Sequence, residues 1–276
     1  MIKIKINKPF KLDDTITCGQ IFRFFKMEDG SFDIILKDRV INVFMDGSFL
    51  CATSNIEENL ETVVKNYFDL DNDYKSVEKF LIKQDKKLKN AIDFSSGMMM
   101  IRQDPFETII EYIISANNGV PQIASALNNI AKAYGKKVLF NDKEYYLFPS
   151  YKDLKDVSVD EFRICKVGFR DKYIKAMIDK LNNNEFDLSI FYELDTKDAL
   201  DKLMENIGIG PKVASCILLF AYQKYDVFPI DTWVKKIMEK DYGIKGEANI
   251  RDFAKKKYGK YSGIAIQYLF NYSRNS

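Results

Sequence analysis

Ile2, Ile4 and Ile6 alternate with lysines and an asparagine at the start of the chain, the period of a half-buried strand. Three further apolar runs, IFRFFKM, SFDIILK and RVINVFM, follow, with the turn residues Glu28-Asp29-Gly30 and Lys37-Asp38 between them. Asp46-Gly47 is a hairpin signal before SFLCAT. Residues 1–53 therefore predict a short antiparallel meander with one face in need of cover. Over residues 56–93 the apolar period becomes that of a helix, and from residue 96 onward helices account for nearly everything. Asp104 and Pro105 predict an N-cap and a first helical position ahead of FETIIEYIISAN. A second helix, VPQIASALNNIAKAY, should stop at Gly135, and residues 136–150 read as a loop or short ribbon. Further helices fall at 158–166, 170–182, 196–206, about 232–241, 247–258 and 261–273. The pattern predicts an α+β protein: an N-terminal antiparallel sheet domain with flanking helices over residues 1–95, then a mostly helical domain over 96–276.

Composition narrows the chemistry. With 276 residues, 46% hydrophobic and 30% charged, the chain has enough apolar surface for a sizeable core. Its longest apolar run, near 213–222, is too short to span a membrane, and MIKIKINKPF lacks the apolar centre of a signal peptide. The expected compartment is the cytoplasm, at the nucleoid if the source is prokaryotic. Net charge is +2, about −1 over residues 1–95 and +3 over the rest, so charge alone announces no nucleic-acid binder. Arg163, Lys166, Arg170, Lys172 and Lys175 form either a local cationic groove or a solvated helix face. There is no histidine, which excludes imidazole-based triads and histidine-ligated metals. Cys18, Cys51, Cys165 and Cys216 match no zinc or iron–sulfur spacing, and buried reduced thiols are expected. The chemistry must come from Lys, Asp, Glu, Tyr, Ser or Thr.

The segment ENIGIGPKVASCILLFA, residues 205–221, concentrates the signal. Glycines 208 and 210 permit tight or left-handed backbone, and Pro211 suits the first turn of the next helix. The segment thus reads as helix, hairpin, helix. Its outward amides at a helix N-terminus form either a phosphate site or a plain tight corner. Val213, Ile217 and Phe220 make one apolar stripe; Lys212 and Cys216, four apart, share another face. Lysine is electrostatically misplaced in a first turn. The helix N-terminus and partial burial both disfavour its ammonium form, which points to a nucleophilic amine or to a cation reaching for phosphate or an acid. Nineteen residues on, Asp231 in VFPIDTWVKKIMEK is placed to cap the following helix. An ionised carboxylate near an amine would also suit a transition state with positive charge, as in breaking a glycosidic bond.

GIGPKVASC followed by FPIDTW resembles the helix-hairpin-helix DNA glycosylase superfamily, and the lysine resembles its bifunctional branch. TCGQIFRF at 17–24, RQDPFETIIEYIISANN at 102–118, VGFRDKYI at 167–174 and YSGIAIQYLF at 261–270 resemble the 8-oxoguanine DNA glycosylase family in particular. The resemblance implies that Lys212 attacks C1′ of a flipped-out damaged nucleotide and forms a Schiff base, after which β-elimination nicks the strand. It implies that Asp231 steadies the sugar cation. Cys216 and Phe270 would flank the base, although both otherwise read as core residues. The carbonyl of Gly19 would accept the hydrogen that N7 carries in 8-oxoguanine and repel the N7 lone pair of guanine. Asn117 and Arg170 would contact the opposite base, with Phe169 wedged into the gap. The amides of Gly208, Gly210 and Val213 would hold DNA phosphate, with a cation at the hairpin backbone but no side-chain metal site and no cofactor. The implied partner is double-stranded DNA containing 8-oxoguanine, bound by a monomer with no membrane involved.

Three departures from the family pattern change expectations. Gln122 stands where the family often has an arginine that reads the opposite cytosine, so weaker preference for cytosine is expected. Ile266 aligns with a pocket glutamine, while Gln267 sits one place later, about 100° around the helix. Trp233 replaces a histidine after the catalytic aspartate and can stack or pack but cannot bind phosphate as a cation. Two other functions fit the motifs: a glycosylase of the same fold for alkylated purines, which would not need Lys212, and a non-catalytic helix-hairpin-helix module that grips DNA with steep salt dependence.

Overall fold

A computed structural model describes residues 1–275. Five strands form one antiparallel sheet: β1 (Ile2–Lys5), β2 (Phe24–Lys26), β3 (Phe32–Ile35), β4 (Val40–Asp46) and β5 (Phe49–Ser54), in the order β1-β5-β4-β3-β2. The last four make the expected meander. β1 instead returns to the far edge, where Ile4 sits opposite Leu50. Adjacent residues serve opposite faces, as the two-residue period requires. Ile34, Ile41 and Val43 face α1 (Leu12–Thr17) and α2 (Leu60–Tyr67), burying Ile16, Leu60 and Val64. Ile35 and Val40 face the other way, under the ribbon of β6 (Lys137–Phe140) and β7 (Lys143–Tyr146). That ribbon comes from the helical half of the sequence and closes the sheet's second face.

The helix α1 departs from the expectation of strands throughout residues 1–53. It has six residues and no side-chain N-cap, so it is too short to display a helical period. α3 (Tyr74–Gln84) and α4 (Lys89–Ser95) pack through Val77, Leu81 and Ile92, with Leu88 of the turn between them, on the helical core rather than on the sheet. That core is built from α5 (Pro105–Ile114), α6 (Val120–Tyr134), α7 (Val159–Ile164), α8 (Asp171–Asn182), α9 (Thr196–Met204), α10 (Pro211–Tyr222), α11 (Thr232–Tyr242), α12 (Glu247–Lys257) and α13 (Ser262–Asn275). At its centre lies α10, in which every residue from Val213 to Tyr222 is buried, packed on α5 and α9. Helix starts follow their capping chemistry. Asp104 accepts from the amides of Phe106 and Glu107, and Asp231 accepts from Val234 N at 2.8 Å.

Arg23 ties sheet, helices and ribbon together. Its guanidinium donates to Glu107 Oε1 at 2.8 Å on α5, to Asn128 Oδ1 at 3.3 Å on α6 and to the carbonyl of Tyr146 on β7. One turn along α5, Glu111 is 2% exposed and its Oε2 has no hydrogen-bond partner. Burial, with the charge of Glu107 adding to it, pushes the Glu111 carboxyl well above the ordinary carboxylate range. Among the described residues no helix is long and apolar enough to cross a membrane.

Candidate active site

The hairpin between α9 and α10 sets the first part of the site. Gly208 has φ +84°, and a Cβ there would lie 2.6 Å from ring carbons of Tyr173, so both the backbone and the space require glycine. Gly210 differs from expectation. Its φ of −92° and ψ of −179° are extended backbone open to any residue, and a Cβ there would meet nothing within 4 Å. Its value is an open approach to the start of α10, where no side chain caps the helix. The first amides of a helix lack intrahelical acceptors, so those of Lys212 and Val213 are available to an anion.

Lys212, half-buried in the first turn of α10, reaches across to α5. Its Nζ lies 3.2 Å from Ser115 Oγ and 5.2 Å from the centre of the Tyr112 ring. Tyr112 is in turn stacked on Phe220 at 5.6 Å and 12°. The amine is thus held over a rigid aromatic floor by neutral partners. Asp231 caps α11 from the opposite side. Lys212 and Asp231 line one cleft of about 680 Å³. Between them Cys216 is 5% exposed, and burial pushes its thiol up, against the pull of the Lys212 charge and with that of Asp231. Gly19, Phe270, Ile266 and Gln267 line the same cleft. Gly19 has φ +88°, and a Cβ there would stand 3.5 Å from Phe270 and from Arg274. Two segments far apart in sequence, near residues 19 and 270, therefore meet in the cleft that Lys212 lines.

Gln267 is 6% exposed and donates its Nε2 to the carbonyl of Cys18 at 3.1 Å, while Ile266 supplies an apolar wall. Asn117, exposed with φ +51°, and Gly119 follow α5 along the rim, and Gln122 is exposed on the first turn of α6. Phe169 is 57% exposed, as a wedge must be. Arg170 beside it is not displayed as expected. It is 6% exposed, and its guanidinium donates to the carbonyls of Ala116, Asn117 and Val167 while lying 4.4 Å from the Phe169 ring centre. The end of α5 has carbonyls without helical partners, and a planar fork of donors beside them is drawn in. Trp233, half exposed on the first turn of α11, lies under Lys236 Nζ at 5.7 Å. Of the five cations named for a groove, Lys166 and Lys172 are exposed and three are engaged elsewhere. Arg163 pairs with Asp171 at 2.8 Å, Lys175 with Asp179 at 2.8 Å, and Arg170 is buried.

Sequence reasoning missed the floor and rim of the cleft: Tyr112, Ser115, Phe220, Phe22, Lys235 and Arg274. The signal for two of them was available, because Tyr112 on α5 and Ser115 at its C-terminal cap are three apart and share a face.

Comparisons with known proteins cover both domains. The family profile described as 8-oxoguanine DNA glycosylase, N-terminal domain, matches residues 1–109, and that of the HhH-GPD superfamily base excision DNA repair protein matches residues 110–258. A probable N-glycosylase/DNA lyase of Methanothermobacter thermautotrophicus is 31% identical over 242 residues, 80% of this chain and 77% of that one. The apo-form 8-oxoguanine glycosylase/lyase of Clostridium acetobutylicum superposes with a TM-score of 0.93 at 40% identity, covering 98% of this chain and 95% of the other. The same enzyme in complex with double-stranded DNA containing cytosine opposite 8-oxoguanine gives 0.92 at 38% identity, over 99% and 98% of the two chains. With its sheet domain and its helical domain each matched by a profile, the chain belongs to the 8-oxoguanine DNA glycosylase/lyase family of the helix-hairpin-helix superfamily.

Proposed function

We propose that this 8-oxoguanine DNA glycosylase/lyase uses Lys212 as its nucleophile and Asp231 as the carboxylate that steadies the developing sugar cation. The observation that carries this reading is that the two groups, presented by the N-termini of separate helices, face one cleft large enough for a flipped nucleotide. The Nζ lone pair bonds to C1′ as the C1′–N9 bond breaks, and the electron pair leaves with the base. The new ammonium loses a proton, the C1′–O4′ bond opens with protonation of O4′, and a Schiff base results. Removal of a C2′ proton then expels the 3′-phosphate, which is the nick. Asp231 stays on its cap throughout, so the compensating charge is in place before the cation forms.

Around this centre, Cys216 and Phe270 flank the base, with Ile266 beside them, and the Gly19 carbonyl meets N7–H. Phe169 fills the gap left in the duplex, and Asn117 and Gln122 face the base across it. Arg170 holds the Asn117 turn in place rather than reading a base. The amides of Gly208, Gly210 and Val213 receive phosphate, aided by the α10 dipole, with Trp233 at the flank.

A duplex carrying one 8-oxoguanine, incubated with borohydride, tests the amine chemistry. Wild-type protein should give a covalent adduct and a nick, and Lys212→Gln should give neither. An adduct of undiminished yield on Lys212→Gln would remove the assignment. Base release by that variant at the wild-type rate would favour a water-dependent glycosylase.

A further inference from the structure

The carbonyls of Cys18, Gly19 and Gln20 follow one another at the end of α1. Each outer one is held by a glutamine from the helical half of the chain. Gln267 Nε2 donates to Cys18 at 3.1 Å, and Gln103 Nε2 donates to Gln20 at 2.8 Å. The middle carbonyl, that of Gly19, accepts no hydrogen bond from the described residues, and Gly19 lines the cleft. The turn is further anchored by the Gln20 side chain, which is fully buried. It donates to the carbonyls of Thr15 and Met99 at 3.1 and 2.7 Å and accepts from Ile101 N at 2.9 Å.

This arrangement solves a specific problem. The carbonyl that meets the base comes from the sheet side of the molecule, whereas Lys212, Cys216 and Phe270 come from the helical side. A glycine at φ +88° has no side chain to hold its peptide, so local sterics leave its direction soft. A hydrogen bond to N7–H tolerates little error, because it weakens steeply with misalignment. The two glutamines fasten the peptides on either side of Gly19 to the body that carries the chemistry. Gln267 lies on α13 three residues before Phe270, and Gln103 immediately precedes the Asp104 cap of α5, with its own amide bonded to the Phe220 carbonyl at 3.0 Å.

We propose that Gln103 and Gln267 are positioning residues for lesion discrimination: by clamping the carbonyls that flank Gly19 they hold its free carbonyl at bonding distance from N7–H of the flipped base. The proposal rests on the Gly19 reading above. It assigns Gln267 a role other than touching the base, and it gives Gln103, which is outside the base pocket, a part in specificity.

Gln103→Met keeps the length and apolar stem and removes the donor. Single-turnover excision is measured on 8-oxoguanine and guanine duplexes, alongside nicking of a preformed abasic site, which needs the amine but no base reading. The ratio of 8-oxoguanine to guanine excision should fall about five- to tenfold, the worth of one hydrogen bond. Abasic nicking should keep its wild-type rate, and Gln103→Lys, which restores a donor, should recover most of the ratio. Gln267→Met should lower the same ratio. An unchanged ratio in both methionine variants overturns the proposal, as does a parallel loss of abasic nicking in Gln103→Met. Wild-type affinity for 7-deazaguanine, which lacks the N7 lone pair, separates the two layers. Binding no tighter than guanine removes the Gly19 reading and the clamp with it. Tighter binding together with unchanged methionine-variant ratios removes the clamp alone.

Discussion

Replacing Glu111 by glutamine should change how stability depends on pH. Glu107 and Glu111 are one turn apart inside the protein, and the guanidinium of Arg23 bonds the first of them. It ion-pairs with Glu107 at 2.8 Å and leaves Glu111 Oε2 without a partner. Burial and the neighbouring charge push the Glu111 carboxyl well above its ordinary value of 4.5, so the folded protein keeps a proton there that the unfolded chain releases. For a carboxyl raised in this sense, the native state is most favoured below the unfolded pKa. The advantage drains away as pH climbs toward the folded one, at about 1.4 kcal/mol per pH unit for one proton. In the pH range above the unfolded pKa and below the folded one, the wild type should therefore lose up to about 1.4 kcal/mol per pH unit more than Glu111→Gln, or about 2–4 °C in Tm for a chain of this size. Glutamine has the same shape and no proton to release, so the cluster is reduced to one matched pair. Urea unfolding by far-UV circular dichroism at closely spaced pH values measures the difference. Parallel stability curves for the two proteins would refute the reasoning, for they would mean that Glu111 binds the same number of protons folded and unfolded.

Local rules written in the sequence survive into the structure where a single segment determines the outcome. Asp104 caps α5 with Pro105 at its first position, Gly135 ends α6, Asp231 caps α11, and of the two readings of residues 136–150, loop or short ribbon, the ribbon forms as β6 and β7. The proposed catalytic pair was legible for the same reason: a lysine in a first helical turn is a local anomaly, and an aspartate ahead of a helix is a local capping signal. What was not legible depends on distant partners. The placement of β1 beside β5 is decided by closure of the sheet. Arg170 looked available to a base because nothing near it in sequence reveals the bare carbonyls of Ala116 and Asn117 that bind it. Gln267 sits one position off the expected pocket residue, and its partner, Cys18, lies 249 residues away. Gly210 was expected to need an unusual backbone, yet it is extended; there the absence of a side chain serves whatever approaches the helix.

Asp231→Asn separates the capping role from the proposed catalytic one. Asparagine caps about as well as aspartate, so thermal unfolding should shift by less than about 0.5 kcal/mol, whereas excision should slow at least about a hundredfold with loss of the fixed charge. Equal losses of stability and rate would make the carboxylate merely structural. The opposite-base preference follows from where the guanidinium groups are. An arginine read bidentately is worth about 1–3 kcal/mol of base discrimination. Gln122 supplies none, and Arg170 has committed its donors to three backbone carbonyls, so Asn117 is left as the main polar side chain at the opposite base in the proposed complex. Strand cleavage of 8-oxoguanine opposite cytosine, thymine, guanine and adenine should accordingly stay within about tenfold, the lower end of one lost bidentate contact. Introducing Gln122→Arg should steepen it toward cytosine. A wild-type preference for cytosine far above tenfold would show that Arg170 leaves its carbonyls when DNA binds, and that its placement here reflects the end of α5 seeking donors in the absence of a base.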